Sequence, residues 1–175
     1  MTTTPRHNLP LPTDGQSPWG NDYRAAMTII DTRLPAVGGS MYAEENTDAT
    51  PIIAEGIAVK ANLPTQEGPP CPCIEHSTNR LTAVFPNGPR NLLLVATFVL
   101  TSSNNQTIKV EVRKNGEPIP GGATRVRKGV GASIGNGALA VSAMAATGDF
   151  FEIWVTNETS PANVTITDMT LALRG

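Results

Sequence analysis

The residues able to do chemistry in this chain are few, and their spacing keeps them apart. Histidine occurs twice, as His7 and His76. Nucleophilic catalysis by serine or cysteine needs an oriented base within hydrogen-bond reach, and nothing in the order of residues brings either imidazole to a nucleophile. Cys71 and Cys73 flank Pro72 in a Pro-Pro-Cys-Pro-Cys run. A disulfide between them would close a tiny, strained ring, and a tetrahedral zinc site would find only His76 nearby as a third ligand. Reduced thiols in a proline loop are the favoured expectation, ahead of ligands pooled by three copies about a symmetry axis. Glu44, Glu45, Asp48 and Glu55 do not match the spacing of a calcium loop, with its alternate-position oxygens and distal bidentate carboxylate. They read as a solvated loop. Gly129-Val-Gly131-Ala-Ser-Ile-Gly135 has its third glycine one residue late for a dinucleotide turn, and no strand–helix unit surrounds it. The expectation is a protein without a catalytic set, a cofactor or a metal.

One further cluster is basic. Arg113, Lys114, Arg125, Arg127 and Lys128 fall close together among the 13 lysines and arginines of the chain. They fit a solvated hairpin better than a contact patch for an acidic partner. The Asn-x-Thr triplets at Asn105, Asn157 and Asn163 carry no meaning without a secretory signal, and the expected N-terminal pattern of such a signal is lacking.

The elements that must position these residues are legible in composition and period. The chain has 175 residues, enough for one ordinary domain and an appendage. It is 39% hydrophobic but only 16% charged, below the roughly 25% usual for soluble domains. Glycine (16) and proline (15) are abundant, which implies many turns and few long helices. A net charge of −2 gives no reason to expect nucleic acid or an anionic membrane as partner. No run approaches the roughly 20 apolar residues that span a bilayer. The expected setting is a cytoplasm, or a particle assembled in one.

Residues 1–40 read as an arm. Pro5, Pro10, Pro12 and Pro18 favour extended backbone, because each fixes φ and removes a donor. From Trp19 the pattern changes: Tyr23, Ala26, Met27, Ile30 and Leu34 recur at spacings of three and four, capped by Asn21 or Asp22. Pro35 and Gly38-Gly39 stop the run. A helix of about twelve residues is marginal alone in water, so it needs a surface. Pro10, Pro12, Trp19, Tyr23, Met27, Ile30 and Leu34 are therefore the expected partner-binding residues, with Trp19 and Tyr23 as anchors because aromatics in desolvated pockets dominate interfaces.

Residues 41–175 read as strands. The run 91–101 is continuously apolar and predicts a strand buried on both faces. Ile108, Val110 and Val112 alternate with Lys109, Glu111 and Arg113, and Asn115-Gly116 supplies a type I′ hairpin turn. Further strands are expected over 52–60, 81–85, 124–128, 138–145, 149–157 and 163–174. In the last, Val164 and Ile166 set one phase, and Met169, Leu171 and Leu173 resume it after a slip. Turns every 8–12 residues predict a mainly β, antiparallel β-sandwich of the jelly-roll kind, preceded by the extended arm and one short helix. A surface rich in Thr, Asn, Ser and Ala but poor in charge suits a homo-oligomer that buries its flanks.

Two stretches resemble known families. Leu9-Pro-Leu-Pro-Thr-Asp-Gly15, Trp19-Gly20 and Tyr23, followed by a helix ending near Asp31-Thr-Arg-Leu34, resemble the N-terminal segments of tailed-bacteriophage fibres and capsid-attached spikes. The part from Phe85 through Val112-Arg-Lys-Asn-Gly116 to Gly148-Asp149-Phe-Phe-Glu-Ile153 and residues 164–173 resembles trimeric jelly rolls of the tumour-necrosis-factor-like and complement-like type. The resemblance implies a structural virion protein with no enzymatic activity. Its implied form is a homotrimeric decoration or cement protein on a bacteriophage capsid surface, assembled in the host cytoplasm. Its implied partners are its own copies and the major capsid protein or another virion protein. The competing expectation is a tail-attached fibre head or receptor-binding protein that recognises host surface glycans. A sugar-active enzyme on a sandwich scaffold is a third, and it lacks a convincing carboxylate pair.

Overall fold

The computed structural model describes residues 2–3 and 10–11 as backbone, and residues 38–69, 71–129 and 134–175 in full. The chain divides into two units, Met1–Ala36 and Val37–Gly175. In the first, β1 (Thr2–Thr3) pairs antiparallel with β2 (Pro10–Leu11), Thr3 opposite Pro10. The helix expected over 19–34 lies outside the described residues.

The second unit is a sandwich of antiparallel strands, and no helix occurs among its described residues. In chain order the strands are β3 (Gly38–Ala43), β4 (Val59–Lys60), β5 (Gln66–Glu67), β6 (Ile74–Ser77), β7 (Arg80–Ala83) and β8 (Arg90–Thr101). There follow β9 (Thr107–Lys114), β10 (Glu117–Arg127), β11 (Gly135–Ala145), β12 (Phe150–Asn157) and β13 (Thr165–Arg174). One sheet is five-stranded in the order β11-β8-β13-β3-β5. The other has six strands in the order β10-β9-β12-β7-β6, with β4 also on β12. The connections β8–β9, β10–β11 and β12–β13 each cross from one sheet to the other, which makes the unit a jelly roll.

Period-two alternation builds the core between the sheets. Leu92, Leu94, Ala96, Phe98 and Leu100 of β8 share one buried cluster with Ile108, Val110 and Val112 of β9 and Phe151, Ile153 and Val155 of β12. The hairpin expected at Asn115-Gly116 is present, with φ of 54° and 83° at the two residues, and β9 and β10 pair on either side of it. The phase slip in the last strand is a β-bulge: pairing of β13 with β8 shifts register between Ile166 and Asp168, so Ile166 and Met169 both face inward.

Along the free edge of β12, β7 pairs with Phe150 and Phe151 and β4 with Trp154 and Val155. Asn79 fills the gap between the two. Its Nδ2 donates to Ala61 O (2.8 Å) and Ile153 O (3.0 Å), and its Oδ1 accepts from the Ile153 amide (3.1 Å). Of the strand expected over 52–60, only Val59–Lys60 pairs as a strand; before it the chain turns at Gly56 (φ 76°), whose amide donates to Asn157 O (2.8 Å).

Candidate self-association face

The two outer faces of the sandwich differ in charge. On the six-stranded sheet, Lys109, Glu111 and Arg113 of β9 lie beside Glu152 and Trp154 of β12. Glu111 is buried and paired with Lys109 Nζ (2.6 Å) and Arg113 Nε (2.7 Å). Glu152 is buried and paired with Lys60 Nζ and Arg80 Nη2, both at 2.7 Å. Burial alone would raise the Glu152 carboxyl, but Lys60, Arg80 and the Trp154 N–H hold it below the usual carboxylate range. Arg113 stacks over Trp154 at 4.4 Å and Arg80 over Phe150 at 4.0 Å. The face is thus a charged ladder in which Lys and Arg side chains cover two buried carboxylates.

The five-stranded sheet presents the opposite chemistry. Its outward row on β8 is Leu93, Val95, Thr97 and Val99; opposite them on β11 stand Ser142, Ala140, Ala138 and Asn136. On the other flank, β13 adds Arg174, Ala172, Thr170 and Asp168 in register, and β3 continues with Ser40 and Tyr42. Charges on the rows of β8, β11 and β13 stand only at the two ends of β13, as Asp168 and Arg174. Leu93 and Met144 are large apolar residues left 44% and 58% exposed. Small side chains along β11 allow close approach of a second surface. A cavity of about 560 Å³ opens on the lower half of this face, with Tyr42, Thr97, Val99, Ala138 and Thr170 in its lining.

This corrects one expectation and explains it. The run 91–101 predicted a strand buried on both faces, yet the single chain covers only one, leaving Leu93 exposed and Val95 and Val99 half-buried. In sequence these outward residues carry no separate signal, because an apolar face looks like core.

The other expected sites fall as follows. Pro10 lies in β2, where the structure describes backbone alone; Pro12, Trp19, Tyr23, Met27, Ile30 and Leu34 lie outside the described residues. Cys73 is buried, Cys71 is half-buried, and both are thiols. His76 Nε2 sits 3.0 Å from Thr65 Oγ1. The basic cluster is dispersed into local pairs. Arg113 bonds Glu111, Lys114 bonds Asp149 (2.8 Å), and Arg125 bonds Glu158 (2.8 Å). Lys128 is buried and donates to the Ser102 carbonyl. The expectation of a solvated hairpin therefore fails at Lys128, which is buried, while Arg125 and Arg127 are exposed.

The architecture defines the class: a mainly β, antiparallel jelly roll. Among solved structures, the PRD1 vertex protein P5 is similar over 81% of this chain and 98% of its own, at 10% identity and a TM-score of 0.51. Murine APRIL at pH 5.0 matches over 79% of this chain and 100% of its own, at 10% identity and a TM-score of 0.49. Eiger TNF from S. frugiperda matches over 81% and 94%, at 11% identity and a TM-score of 0.48. At such identities the likeness is one of fold. No protein-family model matches the sequence, and no curated protein sequence matches it.

Proposed function

We propose that this chain is a structural virion protein. In this reading it forms a homotrimeric decoration of a bacteriophage capsid exterior, held by residues 1–40 and stabilising the shell. The observation that carries the proposal is the contrast between the two faces. The β10-β9-β12 face is an ion-paired surface, whereas the β11-β8-β13-β3 face carries charge at its margins, at Glu44, Asp168 and Arg174, and exposes Leu93 and Met144. A face of that composition is the kind that homo-oligomers bury. Three is the copy number implied by the resemblance to trimeric jelly rolls, and the fold shared with a phage vertex protein supports a place on a particle.

The work of such a protein is mass action. A ligand that binds only the assembled lattice stabilises it by RT ln(1 + [L]/Kd) per site, and linking three arms raises the effective concentration of the second and third. Trp19 and Tyr23 are the anchors, with Met27, Ile30 and Leu34 packing the helix that follows. The test is cosedimentation with capsids. Removing residues 1–34 is expected to leave the Val37–Gly175 unit folded and self-associated but unable to pellet with capsids. Undiminished capsid binding by the truncated chain contradicts the proposal.

A further inference from the structure

The chain enters the sandwich at Gly38, opposite Arg174 near its C-terminal end. At the other end, where β10 finishes and β9 begins, a cavity of about 530 Å³ is lined by Asn105, Thr107, Arg127, Lys128, Gly129 and Thr159. Its lining carries two cations and no carboxylate. Lys128 is only 2% exposed, and among the described residues the one hydrogen-bond partner of its ammonium is the neutral carbonyl of Ser102. An ammonium has three donors, and burying a cation without a counter-charge is costly.

Arg127 is exposed and has no ion pair among the described residues. Its neighbours differ: Lys109 pairs with Glu111 (2.6 Å) and Arg125 with Glu158 (2.8 Å). The nearby Glu158 offers no free counter-charge, since the Arg125 guanidinium engages it and holds it below the usual carboxylate range. Thr159 Oγ1 accepts the Thr107 amide (3.0 Å), so its own proton remains to donate. The left-handed backbone of Asn105 (φ 54°) completes the rim.

We infer that this cavity is an oxyanion site for the carboxylate or phosphate substituents of an acidic polysaccharide. A planar guanidinium fork suits either group. The volume, within the roughly 300–1,000 Å³ of small-molecule sites, is far larger than one free anion needs. Asn105, Thr107 and Thr159 add neutral donors and acceptors that match sugar hydroxyls. The inference stands apart from capsid attachment and from copy number, since the cavity belongs to one chain.

The full-length chain is titrated by calorimetry with a galacturonate trimer, a neutral galactose trimer and inorganic phosphate. The uronate is expected to bind, and the neutral trimer to bind at least about tenfold more weakly. Arg127→Gln, on an exposed side chain, is expected to weaken the uronate by about tenfold or more. Lys60→Gln, on the far sheet face, is expected to leave it unchanged. Equal binding of charged and neutral trimers, or equal binding by Arg127→Gln and the parent, overturns the inference. Binding of phosphate without the uronate trimer overturns the assignment to a polysaccharide.

Discussion

Asp149 shows how much one side chain holds in place here. Its Oδ1 accepts from Asn115 Nδ2 (2.7 Å), while Oδ2 accepts from the Ala146 amide (2.8 Å) and pairs with Lys114 (2.8 Å). Burial alone would raise its carboxyl, but the Ala146 amide, Lys114 and Asn115 hold it at about 2 against an ordinary 3.8. A carboxyl depressed on folding adds stability above its unfolded value and loses it as pH falls through the folded one. Denaturant unfolding of the parent should therefore weaken between pH 3.8 and about 2 by more than that of Asp149→Asn. The difference should be about 1–2 kcal/mol after solvent screening. Identical pH profiles for the two proteins would contradict it. The Gly-Asp pair is visible in the sequence as the start of a strand. Its partners are not, because Lys114 and Asn115 approach only through the pairing of β9 with β12.

The elements were legible wherever residue type alternates along a strand between a core row and an outer row. That holds for β9, where Lys109, Glu111 and Arg113 mark the outside, and for β12. It also holds for β13, whose slip in phase is the bulge at 166–168. Strands of two residues, such as β4 and β5, have no period to read. Their positions depend on long-range partners such as Asn79, which no local pattern announces. The hairpin turn is the most local device of all. Gly116, at φ 83°, occupies a region that costs other L-residues about 1–2 kcal/mol. Gly116→Val should lower the urea midpoint by a corresponding amount with the slope unchanged. An unmoved midpoint would show that the turn does not need its glycine.

At the scale of the whole molecule, the sandwich is asymmetric in charge, and β8 is where that asymmetry was hardest to read from sequence. Its outward Leu93, Val95 and Val99 look like core residues because no water-facing charge interrupts them. The sequence-level expectation of a doubly covered strand and the half-covered strand of one chain agree if copies of the chain supply the missing layer.

Val95 sits in the charge-poor middle of the β11-β8-β13 face, paired to Ala140 on one side and Ala172 on the other. Native mass spectrometry of the full-length chain and of Val95→Glu tests the central claim. The account predicts a trimer for the parent and a folded monomer for the variant, with unchanged β-sheet circular dichroism. A monomeric parent, or a trimer that survives a carboxylate at position 95, would contradict it.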